Sequence, residues 1–253
     1  MQISIHQGRT PPTAAADITI VIDVIRAFTV AHYAFRQGVS RIYLVKTANQ
    51  AFSIKKRNPE YLLAGETDGL AIEGFDFGNS PYHLQQQNLD GKTLVQKTTN
   101  GVQAALNSLS SNHVFVTGFT NARRTAEFIR EKMADDKEKT VHIMASHPSG
   151  DHDLACAAYI KSILENANSI SGQAVKERIK HSQTAEKFFD KDNTAFIHED
   201  IDHCIRELDT DFVMKVNKNT EIPMIERVMY DGDRIDSAGK GAEAERKRIN
   251  DFN

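Results

Sequence analysis

"DITIVIDVIRAFTVAHYAFRQG", residues 17–38, is the stretch on which the fold turns. Ile18 to Val24 is rich in β-branched apolar residues, which suits a strand buried on both faces. Asp23 interrupts it near its C-terminal end. The hydrophobic period then changes. Ala27, Val30, Ala31, Ala34 and Phe35 fall on one helical stripe, and Gly38 closes it. A buried strand running straight into a helix is the repeating unit of an α/β layered fold.

The alternation continues outward. "RIYLVKT" reads as a strand, "ANQAFSIKKR" as a helix and "YLLAGE" as a strand. "KTLVQKTTNG" is a strand entering a polar turn, followed by the helix "VQAALNSLS". "HVFVTGF" and "TVHIMAS" are further strands, each followed by a helix, "TNARRTAEFIREKMAD" and "DLACAAYIKSILEN". The pattern predicts layered α/β/α architecture with a mostly parallel sheet. Beyond it, "QAVKERIKHSQTAEKFFDKDN" and "HEDIDHCIRELD" read as helical, "FVMKVN" and "MIERVMYDG" as short strands. "SAGKGAEAERKRINDFN" is charged, nearly free of large apolar residues, and reads as an exposed tail.

A chain of 253 residues can form one large α/β domain or two smaller ones around a cleft. Its net charge of -3 gives no reason to expect nucleic acid or an anionic membrane as partner. Cys156 and Cys204 form no CxxC pair and read as reduced, buried thiols of a cytoplasmic protein. "MQISIHQGRT" lacks the pattern of a signal peptide, and the apolar run from Ile18 to Phe35 carries Asp23 and Arg26, which a membrane span rarely tolerates.

In open α/β sheets, ligands bind outside the carboxyl ends of the strands. Acids, amides, hydroxyls and glycines gather there. Asp23 and Arg26 follow one strand, and Gly65-Glu66 and "TDGLAIEGFDFGNSP" another. Thr98, Thr99, Asn100 and Gly101 follow the next, then Thr120, Asn121 and Arg123, then "SHPSGDHD". His142, His147, Asp151, His152 and Asp153 invite a zinc reading, but their spacing matches no zinc signature, and an aspartate before "LACAAYIKSIL" also serves as a helix cap. No P-loop, Rossmann glycine fingerprint, GxSxG or basic-aromatic run is present. Carboxylates with amides and hydroxyls suit a hard cation such as Mg²⁺, and Arg26 with helix-start N–H groups suits a phosphate or sulfonate. Metal-assisted phosphoryl transfer is the chemistry this set predicts.

"VIDVIRAFT", "AGE", "GFDFGNSP" and "TTNG", in this order, resemble the 2-phosphosulfolactate phosphatases. The resemblance extends to "DLACAAYI" and covers roughly residues 18–160. It implies Mg²⁺-dependent removal of phosphate from a small anionic phosphoester, 2-phosphosulfolactate, leaving 3-sulfolactate. It also implies two lobes flanking a cleft, here drawn as residues 1–135 and 136–253 with the charged connector "MADDKEKT" between them. On these grounds Asp23, Arg26, Glu66, Asp76 and Asp153 are the expected catalytic residues, with Asp153 as general acid. Asp23, Glu66 and Asp76 are the expected metal ligands. Gly78, Asn79, Ser80, Thr98, Thr99, Asn100, Gly101 and Asn121 are the expected substrate contacts.

Some positions depart from the family's pattern. Thr67 and Asp68 stand where it usually has an arginine, Phe28 and Val102 where threonines are usual, Ile25 for a leucine and His152 for a glutamate. "TAEKFF" occupies the region of a Ser-x-His-Gly stretch. Two other readings remain open: the same hydrolase acting on another small phosphorylated acid, and a non-catalytic anion binder. Homodimerisation is open as well.

Overall fold

The first strand–helix unit forms as its pattern predicts. Ile18–Ile22 is strand β2, every residue of it buried, and Ala27–Arg36 is helix α1. In α1 only Arg36 escapes burial, so the helix is enclosed on all sides rather than laid on a surface. The computed structural model describes residues 1–133, 138–190 and 192–230. The charged C-terminal tail and the middle of the connector after Met133 lie outside those residues.

Ten strands form one sheet, in the spatial order β1-β8-β2-β7-β9-β10-β3-β6-β4-β5. They are β1 Gln2–Gln7, β3 Arg41–Leu44, β4 Leu62–Thr67, β5 Leu70–Ala71 and β6 Thr93–Lys97. Completing the set are β7 His113–Thr117, β8 Thr140–Ala145, β9 Phe212–Asn217 and β10 Met224–Met229. The group β1-β8-β2-β7 is parallel, as is β3-β6-β4. An antiparallel pair, β9 with β10, joins the two groups. Strands from residues 1–135 and from residues 136–253 therefore interleave in a single sheet. Strand β1 and the short β5 are elements that the sequence reading did not anticipate.

Alternation along the strands sends side chains into three cores. Val21, Val116, Met144 and Met214 from one half of the sheet meet Leu44, Leu94 and Ala64 from the other, with α1 between them. The opposite face of the first half packs Ile20, Phe115 and Ile143 against helices α5 (Ala122–Met133), α6 (Asp151–Leu164) and α7 (Gly172–Lys180). The opposite face of the second half packs Leu63 and Val95 against α2 (Ala48–Arg57). Because both inner faces share one core, the sheet must curl. In a flat sheet, β2 and β6 would lie five strand spacings apart, about 24 Å. Yet the Gly101 N–H, just past β6, donates to Asp23 Oδ2, just past β2, at 2.8 Å. The curl brings distant strand ends together and makes the cleft. Among the described residues, no helix is long and apolar enough to cross a membrane.

Enclosure of α1 leaves a titratable group inside. His32 is fully buried between Tyr33 and Phe212, and neither ring nitrogen has a hydrogen-bond partner among the described residues. Burial, with a smaller push from Arg36, lowers its pKa from 6.5 to about 3. The unfolded chain therefore binds a proton here that the folded chain refuses, over the window between those two values. Stability from this residue is complete above 6.5 and is lost as pH falls towards about 3. His32→Leu is expected to lose less melting temperature than the wild type between about pH 7 and about pH 5. Parallel acid limbs in the two proteins would remove His32 from the account.

Candidate active site

A cavity of about 280 Å³ opens at the carboxyl ends of β2, β4 and β6. Asp23, Arg26, Glu66, Asn79, Thr99 and Asn100 line it, together with Ile25, Asp68, Gly69, His147, Thr184, Lys187 and Phe188.

Asp23 sits at the centre of the backbone scaffold. Its Oδ1 accepts from Ala27 N at 3.0 Å and its Oδ2 from Gly101 N. A Cβ at position 101 would fall 2.6 Å from Asp23 Oδ2, so only glycine lets the two segments approach this closely. Burial, then the nearby carboxylates of Asp153 and Glu66, hold the Asp23 pKa up, at about 8. Glu66 accepts from Thr99 N and Thr99 Oγ1 on one side and from Gly69 N on the other. These bonds fix β4 to the turn after β6 and aim the carboxylate. The side-chain amides of Asn79 and Asn100 make no hydrogen bond to any described residue. Asn79 Oδ1 is buried without a partner among the described residues.

Arg26 is buried and already engaged. Its Nη1 donates to Asp200 Oδ2 at 2.7 Å, and its Nη2 to the Gly69 carbonyl at 3.0 Å. The guanidinium lies over the rings of Phe188 and Phe196. Asp200, fully buried in helix α9 (His198–Cys204), also accepts from Ser80 Oγ at 2.6 Å and from Tyr82 N. It gathers two distant segments around one carboxylate.

The chemistry of this cavity and the sequence point the same way. A sequence profile of 2-phosphosulpholactate phosphatase matches residues 5–219. The chain belongs to the 2-phosphosulpholactate phosphatase family. A probable 2-phosphosulfolactate phosphatase of Bacillus subtilis (strain 168) is 53% identical over 229 residues, which cover 90% of this chain and 100% of the relative. A protein of the same printed name from Clostridium perfringens (strain SM101 / Type A) is 29% identical over 227 residues, 83% of this chain and 89% of its own. One from Caldicellulosiruptor saccharolyticus is 33% identical over 151 residues, 58% of this chain and 62% of its own.

Within this member of the 2-phosphosulpholactate phosphatase family, the expected site residues divide by position. Asp23, Arg26, Glu66, Asn79, Thr99 and Asn100 share the cavity. Ser80 stands behind it, where its hydroxyl donates to Asp200 and accepts from His83 N at the start of α3 (Pro81–Gln85). Thr98 Oγ1 accepts from Val102 N and starts α4 (Gly101–Asn107), while Gly101 N is spent on Asp23. Gly78 packs beside Ala71.

Three further expected residues are held in other places away from the cavity lining. Asp76 lies near the start of β4, where it accepts from Leu63 N at 2.7 Å and faces Lys55 at 3.2 Å. Asn121 is buried and bonded to Thr117 and Thr125. Asp153 is fully buried behind Asp23, its oxygens accepting from Val24 N, His147 N and Ser146 Oγ. Burial raises the Asp153 pKa, and these donors oppose the rise. Its place makes it a brace that ties the ends of β2 and β8 to α6.

The sequence reading missed Asp200, Lys187 and the particular place of His147. His147 lines the cavity with its pKa lowered by burial, then by His152 and Lys187. Nothing in "HEDIDHC" or "TAEKFF" marks these side chains, because each acts through a contact far away in sequence.

Proposed function

We propose that the chain is a Mg²⁺-dependent phosphatase that hydrolyses 2-phosphosulfolactate to 3-sulfolactate and phosphate. One observation carries the proposal: Asp23 and Glu66 converge on a cavity with two free amides. The relatives' printed names support the substrate.

The donor set fits Mg²⁺. That ion is held through one or two carboxylates, with water and phosphate oxygens completing an octahedron. Asp23 and Glu66 would supply the carboxylates. Among the described residues, no group of three acidic, histidine or cysteine side chains is spaced to chelate a cation unaided. Burial first, and then the nearby charges of Asp153 and Glu66, raise the pKa of Asp23, and a cation would relieve this penalty on its ionised form. When bound, the ion offsets the charge of the phosphoryl group and acidifies water.

The chain's own residues do the rest. Asn79 and Asn100 present neutral donors to the phosphoryl oxygens, and Thr99 holds Glu66 in position. Asp153 braces the backbone of Val24, next to Asp23, and that of His147. His147 is kept neutral by burial, so its imidazole can take the proton of the attacking water and return one to the leaving oxygen. The buried, unpaired thiols of Cys156 and Cys204 support a cytoplasmic, reducing setting.

Phosphate release from 2-phosphosulfolactate tests the reading. Turnover is expected with Mg²⁺, to vanish with EDTA and to return when Mg²⁺ is restored. Full turnover in EDTA would remove the metal from the reading. Faster release from an unsulfonated phosphorylated acid would replace the substrate.

A further inference from the structure

Lys187 follows helix α8 (Gln183–Glu186) and reaches the cavity from the wall that carries Phe188. Its ammonium lies 4.2 Å from the centre of the Phe196 ring, and a Cβ at Gly69 would stand 3.2 Å from it. Among the described residues it has no carboxylate within ion-pair distance and no hydrogen-bond acceptor. Arg26, the other cation on the lining, differs. Its guanidinium is consumed by Asp200 and the Gly69 carbonyl. Lys187 is thus the one lining cation, among the described residues, whose charge is still available. Burial lowers its pKa, as expected of an ammonium short of hydrogen bonds.

A half-buried ammonium on an aromatic ring, with Glu66 acting on it only at a distance and no ion-pair partner among the described residues, is a poor structural element and a good receptor for an anion. Two carboxylates and two amides already serve the phosphoryl group in the reading above, and this inference rests on it. On the flanking wall, Thr184 adds a neutral hydroxyl beside Lys187 and Phe188, so the ammonium is the charge that wall offers a second anion.

We propose that Lys187 selects the substrate by pairing with its sulfonate. A sulfonate spreads its charge over three oxygens and binds metal weakly. A single mobile ammonium beside apolar rings suits it better than a second carboxylate-held cation would.

The experiment compares 2-phosphosulfolactate with 2-phospholactate, which keeps the phosphate and carboxylate and lacks the sulfonate. Wild type, Lys187→Met and Lys187→Arg are assayed with both. In Lys187→Met the KM for 2-phosphosulfolactate is expected to rise by about tenfold, the loss of one charge-assisted pair. Its kcat and the KM for 2-phospholactate are expected to hold, and Lys187→Arg to recover most of the affinity. An equal rise for both substrates, or none for either, would overturn the assignment. Calorimetry with 3-sulfolactate and lactate supplies a second readout that needs no turnover. If the wild type binds 3-sulfolactate in preference to lactate and Lys187→Met does not, the pairing stands even where phosphate release fails and the catalytic reading falls. If the variant keeps that preference, the pairing fails alone.

Discussion

Replacing Asp23 by asparagine is expected to reduce phosphate release by about 10³-fold at saturating Mg²⁺. The carboxylate is the common point of the scaffold. It receives the N–H of Ala27 from α1 and that of Gly101 from α4, and it faces the cavity that Glu66 also enters. Asparagine keeps the shape and removes the charge. It also turns an amide donor towards one of two backbone donors, so a circular dichroism spectrum and a melting curve must accompany the assay. Asp76→Asn is the control, since Asp76 faces Lys55 away from the cavity. It is expected to stay near wild-type turnover. A folded Asp23→Asn protein that turns over as fast as Asp76→Asn would remove Asp23 from the chemistry.

The same carboxylate predicts how metal and pH act together. Its pKa lies at 3.8 when unperturbed and is pushed up to about 8 in the fold by burial and then by Asp153. Between those values the folded chain binds a proton that the unfolded chain releases. Asp23 therefore makes the metal-free protein lose stability as pH rises through that window. Mg²⁺ favours the ionised form, so it should raise the melting temperature more at about pH 8 than at about pH 5. The difference should disappear in Asp23→Asn.

Asp200→Ala carries the second large effect, and it falls on stability. The side chain is fully buried and is the ionic partner of a buried arginine. Removing one partner of such a pair strands the other charge and costs about 3–5 kcal/mol. Here Ser80 Oγ and Tyr82 N also lose their acceptor. Urea unfolding is expected to show a loss of that size, and a loss below about 1 kcal/mol, typical of a surface pair, would contradict the burial argument. The double variant Arg26→Met with Asp200→Leu separates structure from function. Replacing both charges by apolar groups should return the part of the loss owed to the stranded guanidinium, while Ser80 Oγ and Tyr82 N stay without their acceptor. Turnover is expected to stay low, because Arg26 also holds the Gly69 carbonyl, in the turn whose N–H aims Glu66.

The sequence made the strand ends legible because strand and helix differ in period, and polar residues at a strand end stand out against the apolar run before them. Asp23, Glu66 and Thr99-Asn100 were found in that way. Glycine and proline in "GFDFGNSP" drew attention to Asp76, yet the backbone there turns its carboxylate to Leu63 N near the other end of β4. Local pattern gives the residue and not the direction it faces. Arg26 was legible as a buried cation, but its partner lies 174 positions away in a helix whose acids all look alike. The strand order was hidden for a related reason. β8 enters between β1 and β2, and the β9–β10 pair enters between β7 and β3. Such insertions depend on faces that match only after the chain has folded.

The place of β8 also bears on whether the polypeptide can be divided. β1 has β8 as its sheet neighbour, and β2 lies on the other side of that strand. A fragment ending at residue 133 would carry β1 and β2 with an empty slot between them, and Arg26 without Asp200. Its complement would carry β8 with two open edges and the β9–β10 pair with none of its flanking strands. The two larger cores each draw buried residues from both fragments, while the small core under α2 has all its buried members in one. Both halves must therefore be present before either is finished, and the candidate site is complete only when the segments that carry Lys187 and Asp200 have been made.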